Sequence, residues 1–258
     1  MRGQILDLNA TGLAAVDRFI TTWNSRDPAA WAASLNYPHA RPSPFGPINI
    51  SPTAEAYAAG VDYNRVIATG WDHSEWDYRH VLHISPSRIH VVGQWSRYNA
   101  DAEIIHTNPI TYIVTHHDNN WGIQSRFAAD HAHEDEDTSG FETRGFKLVK
   151  DFIVHLNSGA RESCAEMLNY PHITVAVGEL DVCEEAAAFL PHPVQITLNS
   201  LVSLQVGHHS MNLALEVTVE DDHGTRELQG VMNLTNRDDH LGIQAWSFLD
   251  PHEPPPDD

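Results

Sequence analysis

Val16–His39 reads VDRFITTWNSRDPAAWAASLNYPH, and Val149–His172 reads VKDFIVHLNSGARESCAEMLNYPH. The two segments align without a gap at a constant offset of 133, with 11 identities in 24 positions. Further along the offset becomes 120, where Thr115–Asp130 (THHDNNWGIQSRFAAD) shares 6 of 16 positions with Thr235–Asp250 (TNRDDHLGIQAWSFLD). The chain therefore holds one domain twice. Each copy also serves as a comparison for the other: what both keep is read as scaffold, and what only one keeps is a candidate for function.

With 258 residues and 41% hydrophobic content, each copy is long enough to close its own core. The expected division is a domain over 1–130, an acidic linker over 131–145 (HAHEDED and its flank), a second domain over 146–250 and a disordered acidic tail over 251–258. Thirty-five acidic residues against 15 basic ones set a formal charge of −20, which disfavours nucleic acid and anionic membrane surfaces as partners. Neither a signal peptide nor an apolar run of membrane-spanning length is read, so a cytoplasmic protein is expected. Cys164 and Cys183 lack zinc spacing, no metal site is expected, and no cofactor motif is present.

In the first copy, Leu13, Val16, Phe19, Ile20 and Trp23 fall at helical spacing behind Thr11 as N-cap. Asp27-Pro28 starts a second helix carrying Trp31 and Leu35 and ending before Pro38. A short third helix spans 54–59. From Trp71 the pattern turns to β, with strands over 78–84, 89–98, 104–115 and 121–128 separated by turn residues. The second copy repeats the order, with helices at 146–157 and 159–168, a short helix from Asp181, and strands at 194–206, 210–220, 225–235 and 241–249. Helices followed by a meander of long strands predict an α+β domain, the helices gathered on one face of a curved antiparallel sheet around a pocket.

The sequence Leu35-Asn36-Tyr37-Pro38-His39, the stretch Gly70–Asp77 (GWDHSEWD) and the closing Tyr112–Thr115 and Trp121–Phe127 resemble the nuclear transport factor 2-like superfamily, and within it a SnoaL-like bacterial group. The resemblance covers most of the first copy and is weaker in the second. It implies cone-shaped domains with a hydrophobic pocket, found in isomerases, cyclases, dehydratases and epoxide hydrolases as well as in non-catalytic scaffolds. Two copies in one chain suggest a fused, intramolecular pseudo-dimer that is a monomer in solution.

Six of the seven tryptophans and six of the seven tyrosines lie in the first copy, which makes it the expected working site, with the second copy a structural partner. Read as an extended strand, His73–His83 sends His73 and Asp77 to one face, where they could form an acid–base pair. Arg97 could fix a carboxylate or enolate, or bridge to Asp77. His39, kept as His172 in the second copy, is either a base at the pocket edge or a structural ring. Trp76, Trp95, Tyr98 and Tyr112 are the expected substrate contacts; packing is the alternative for Tyr112. The function read from these residues is a small-molecule pocket protein, acting without cofactor by acid–base chemistry on a small apolar organic substrate. The alternative is a non-catalytic ligand-binding or protein-interaction module.

Overall fold

A computed structural model describes residues 7–130, 137–191, 194–222 and 224–255. The first half runs α1 (Leu8–Asn24), α2 (Pro28–Ala32), β1 (Leu35–Arg41), β2 (Asn49–Ser51), α3 (Ala54–Ala59), α4 (Tyr63–Ile67), β3 (His73–Ile84), β4 (Arg88–Tyr98), β5 (Ile104–His117) and β6 (Asn120–Ala128). The second runs α5 (Ser139–Asn157), α6 (Arg161–Glu166), β7 (Leu168–Ala176), β8 (Glu179–Cys183), a 3₁₀ turn at Ala186–Ala188, β9 (Gln195–Val206), β10 (Ser210–Asp221), β11 (Gly224–Arg237) and β12 (His240–Leu249). The sheets are ordered β2-β1-β6-β5-β4-β3 and β8-β7-β12-β11-β10-β9, so each half is the same six-stranded α+β unit. The four long strands form the antiparallel meander read from sequence, and β1 and β7 add to β6 and β12 in parallel.

Several boundaries differ from expectation. Leu35 belongs to β1 and not to a helix, because α2 stops at Ala32. Asp7 caps α1, four residues ahead of Thr11. α5 starts at Ser139, inside the expected linker, whose residues 131–136 lie outside the described set. Around Asp181 the chain forms β8 and only the 3₁₀ turn, where the first half has β2 followed by α3 and α4. The expected tail is ordered as far as Pro255: the Glu253 carboxylate accepts from the Ser85 hydroxyl at 2.7 Å, from the Ser87 amide at 3.2 Å and from the Ser87 hydroxyl. Residues 256–258 lie outside the described set.

The motif that both halves keep is a fastening between β1 and the β5–β6 turn. Asn36 Nδ2 donates to the Thr115 carbonyl at 2.8 Å, its hydroxyl at 3.0 Å and the Asn120 carbonyl at 3.2 Å. Asn169 Nδ2 repeats this on Thr235 and Gly242. The Tyr37 hydroxyl donates to the Ala32 carbonyl and that of Tyr170 to the Ala165 carbonyl. His39 Nδ1 and His172 Nδ1 each meet a β6 or β12 carbonyl, Ile123 or Ile243, at 3.1 Å. The peptide bonds before Pro38 and Pro171 are cis. The glycine of Gly-Ile-Gln belongs to the same device, since a Cβ at Gly122 would sit 2.5 Å from Asn36 Oδ1 and one at Gly242 2.9 Å from the Asn169 backbone nitrogen. Gly12 and Gly145, also equivalent, let the helices approach β4 and β10; a Cβ at Gly12 would sit 2.7 Å from Ile89 Cγ2.

Each sheet uses its two faces differently. One is covered by helices, as where Val16, Phe19 and Trp23 pack on Val91, Tyr112 and Ile123. The other packs on the opposite sheet through Ala40, Ile113 and Phe127 of the first half and Ile173, Val231 and Ala245 of the second. Strand registers make His90 equivalent to Asn212, and His83 to Gln205. Phe127 is equivalent to Ser247 by the sequence repeat. His90 Nε2 meets Ser247 Oγ at 3.1 Å, while Asn212 Nδ2 donates to the Phe127 carbonyl at 2.6 Å, the reciprocal contact that a two-fold interface requires.

At this interface Ser247 donates to the Val175 carbonyl, so it accepts from His90 Nε2–H, and His90 Nδ1 accepts in turn from His83 Nδ1–H at 3.1 Å. Both rings are thereby neutral. Burial lowers His83 from 6.5 to about 4 and holds His90 well below 6.5, with His83 and Arg88 adding to the latter. As pH falls below about 6.5 the unfolded chain takes up protons that the folded chain refuses, so stability is intact above that pH and falls between about 6.5 and 4. Two experiments test these two fastenings. Exchanging the pair for its own counterparts, His83→Gln with His90→Asn, should remove about 2 kcal/mol per histidine of the stability lost between pH 7.5 and 5, read by urea unfolding; equal losses in wild type and variant would contradict the buried neutral pair. Asn169→Ala should cost about 3 kcal/mol in the same assay at pH 7.5, because two buried carbonyls lose their donor.

Candidate functional site

A bulge in β3 falls at Asp77, one of the expected catalytic residues. Asp77 has no partner on β4, the register passing from Trp76↔Trp95 to Tyr78↔Gln94. One extra residue reverses the alternation of side chains. Ser74 and Trp76 face the helices before the bulge, whereas after it Arg79 reaches Asp17 on α1, at 2.5 Å from Nε. The bulge falls at Asp77 itself, so His73 and Asp77 both stay on the face away from the helices, and they form no pair because each is held by other partners. His73 is half exposed, stacks on Tyr98 at 5.2 Å, and meets Asp72 at 3.0 Å and Glu75 at 3.6 Å. Asp77 accepts from Gln94 Nε2 and Ser96 Oγ on the face away from the helices. The alternative bridge from Arg97 to Asp77 is absent, since Arg97 lies with Trp95 on the helix side and Asp77 on the opposite face.

Arg97, Trp76, Trp95 and Tyr112 do share the interior of the first half. The Arg97 guanidinium sits 5.7 Å from both the Trp23 and Trp95 rings, and Trp76 meets Tyr112 edge-on at 5.9 Å. Tyr98 turns outward onto His73 and does not join them. The residue that sequence reasoning passed over is Arg126, which is 5% exposed in the middle of β6. Its guanidinium lies over Phe19 at 4.9 Å and Trp31 at 5.6 Å, donates from Nε to His39 Nε2 at 3.3 Å, and donates to the Tyr57 hydroxyl at 3.0 Å. A signal was present: the aligned residue of the other copy is Trp246, so one strand position holds a cation in one half and an indole in the other.

His39 is buried, with Nδ1–H given to the Ile123 carbonyl and Nε2 occupied by Arg126. Burial, then the Arg126 charge, hold its pKa well below 6.5. Both nitrogens are used, so the ring orients Arg126 and has no lone pair free for a substrate proton.

The aromatic wealth of the first half is mostly packing. Trp23 contacts Trp31 at 4.5 Å, Trp71 at 4.9 Å and Tyr63 at 5.0 Å, and the indole N–H groups of Trp23 and Trp71 both reach Ser74 Oγ. The second half lacks these rings: Leu156 stands for Trp23 and Cys164 for Trp31, with no counterpart of α4 among the described residues. There a cavity of about 440 Å³ opens, lined by Phe152, Leu156, Val182, Phe189, Val194 and Trp246 among apolar residues, and by His172, Thr174, Asp181, Cys183 and Asp221 among polar ones. His172 is 2% exposed, its Nδ1–H goes to Ile243, and its Nε2 has no partner. Burial lowers it to about 4, so Nε2 carries a lone pair at neutral pH. Among the described residues no cluster of three or more metal-ligating side chains is found, and no helix is long and apolar enough to cross a membrane.

Solved structures are similar to somewhat less than half of the chain. The association domain of C. elegans CaMKII matches with 12% identity over 43% of this chain and 98% of that one, at a TM-score of 0.36. An NTF2-like protein of unknown function from Pseudomonas putida KT2440 matches with 6% identity over 45% and 98%, at 0.37. An NTF2-like protein with a cystatin-like fold from Novosphingobium aromaticivorans matches with 12% identity over 47% and 94%, at 0.37. No protein with a curated description matches. Residues 13–131 match the family model described as NTF2-like protein (DUF6841), and the second half repeats the architecture of that unit strand for strand.

Proposed function

We propose that the chain is a small-molecule-binding protein whose second half holds a compact, largely apolar ligand. The observation that carries this reading is the cavity in the second half, of a volume suited to such a ligand. It lies where the second half has Leu156 in place of the first half's Trp23. The buried polar atom without a partner there is an acceptor, His172 Nε2. An apolar molecule bearing one hydroxyl satisfies it, the hydroxyl donating to Nε2 while the rest is enclosed by Phe152, Phe189, Val194 and Trp246. Binding, and not turnover, is the reading favoured: His73 and Asp77 lie apart on another face, and the His39 lone pair is taken.

Calorimetric titration with 2-naphthol tests this. The full chain should bind 2-naphthol about tenfold more tightly than 2-methoxynaphthalene, which has lost the donor. Leu156→Trp, placing the first half's side chain into the cavity, should abolish binding and leave the melting temperature the same or higher. Unchanged affinity in that variant, or equal affinity for the two naphthalenes, overturns the assignment.

A further inference from the structure

The interior of the first half carries guanidinium groups that no carboxylate answers. Arg126 is buried, Arg97 is half-buried, and Arg41 stands at the exposed end of β1, near enough to Arg126 that this charge is the main cause lowering its pKa to about 10. Among the described residues none of the three forms an ion pair. The chain has 35 acidic residues to draw on, so no shortage of partners explains this. An unpaired buried charge is costly, and the ring faces return only part of that cost.

A second, independent observation points the same way. The Trp95 indole N–H is turned toward the Tyr112 hydroxyl, both residues being buried, and Arg97 Nε and Asn108 Nδ2 beside them have no hydrogen-bond partner. All four can donate, and they stand on one wall: Asn108 pairs with Trp95 across the strands, and Tyr112 pairs with Arg126. The fold does not demand this wall. At the equivalent places the second half has Val217 for Trp95, Val219 for Arg97, Leu228 for Asn108, Met232 for Tyr112 and Trp246 for Arg126.

We infer that the first half binds a small aromatic carboxylate, its carboxylate held by Arg97 and the remaining donors of Arg126 and its ring set among the tryptophan faces. This site is separate from the second-half cavity and opposite in chemistry, with donors awaiting an acceptor where the cavity has an acceptor awaiting a donor. Arg97 offers the free fork, since Arg126 already gives Nε to His39 and another N–H to Tyr57.

The test uses benzoate, benzyl alcohol and inorganic phosphate, each titrated calorimetrically into the full chain. Benzoate should bind at least about tenfold more tightly than benzyl alcohol, which lacks the charge, and than phosphate, which lacks the ring. Arg97→Val, the second half's own residue, should weaken benzoate by a similar factor while leaving 2-naphthol binding unchanged. Arg126→Met should lose benzoate yet melt no lower than wild type, because it removes a charge the fold does not pair; a purely structural arginine would lower the melting temperature. Benzoate binding unchanged in both variants, benzyl alcohol or phosphate bound as tightly, or no benzoate binding at about 10 mM, overturns the inference.

Discussion

A single buried amide in each half holds the architecture in register. Asn36 and Asn169 each aim one NH₂ group at carbonyls on the turn that joins the last two strands, and so fix where the strand after the second helix meets the sheet. That strand runs parallel to its neighbour, with an irregular register between Leu35 and Ala40 in one half and between Leu168 and Ile173 in the other. Parallel pairing over so few residues is weak alone. The amide, the tyrosine hydroxyl returned to the preceding helix and the histidine on the last strand compensate for it, and the neighbouring glycine is required because a methyl group there would strike the amide.

These side chains explain why so much of the fold was legible. Leu-Asn-Tyr-Pro-His recurs because every polar member has a buried partner, and helix order and strand meander follow from apolar spacing and turn residues that local sequence records directly. The junction was misread because Leu35 extends the helical spacing of Trp31, while the hydrogen bonds that end the helix at Ala32 belong to residues some 80 positions away. His73 and Asp77 keep to one face as alternation reads, but the pairing failed because His73 turns to Asp72, Glu75 and Tyr98 while Asp77 turns to Gln94 and Ser96.

The location of open space was the least legible feature, since aromatic richness was read as pocket lining. In the first half Trp23, Trp31, Trp71, Tyr57 and Tyr63 meet each other at 4.5 to 5.2 Å and pack as one cluster. A cavity is made by what is missing, and the aligned pairs Trp23 with Leu156 and Trp31 with Cys164 already recorded that loss. Arg126 was equally visible as the charged member of a pair whose other member is Trp246.

The same pair shows how duplication lets one fold hold incompatible interiors. Trp246 meets His172 edge-on at 4.2 Å and leaves Nε2 unpartnered, whereas Arg126 takes the corresponding lone pair of His39 for itself. One substitution therefore switches the buried histidine from open acceptor to support for a cation. A homodimer of identical subunits would have to make that choice once for both sites. In a fused chain the shared sheet interface, with its reciprocal contacts at His90 and Asn212, stays under one constraint while each cone is free to follow its own chemistry.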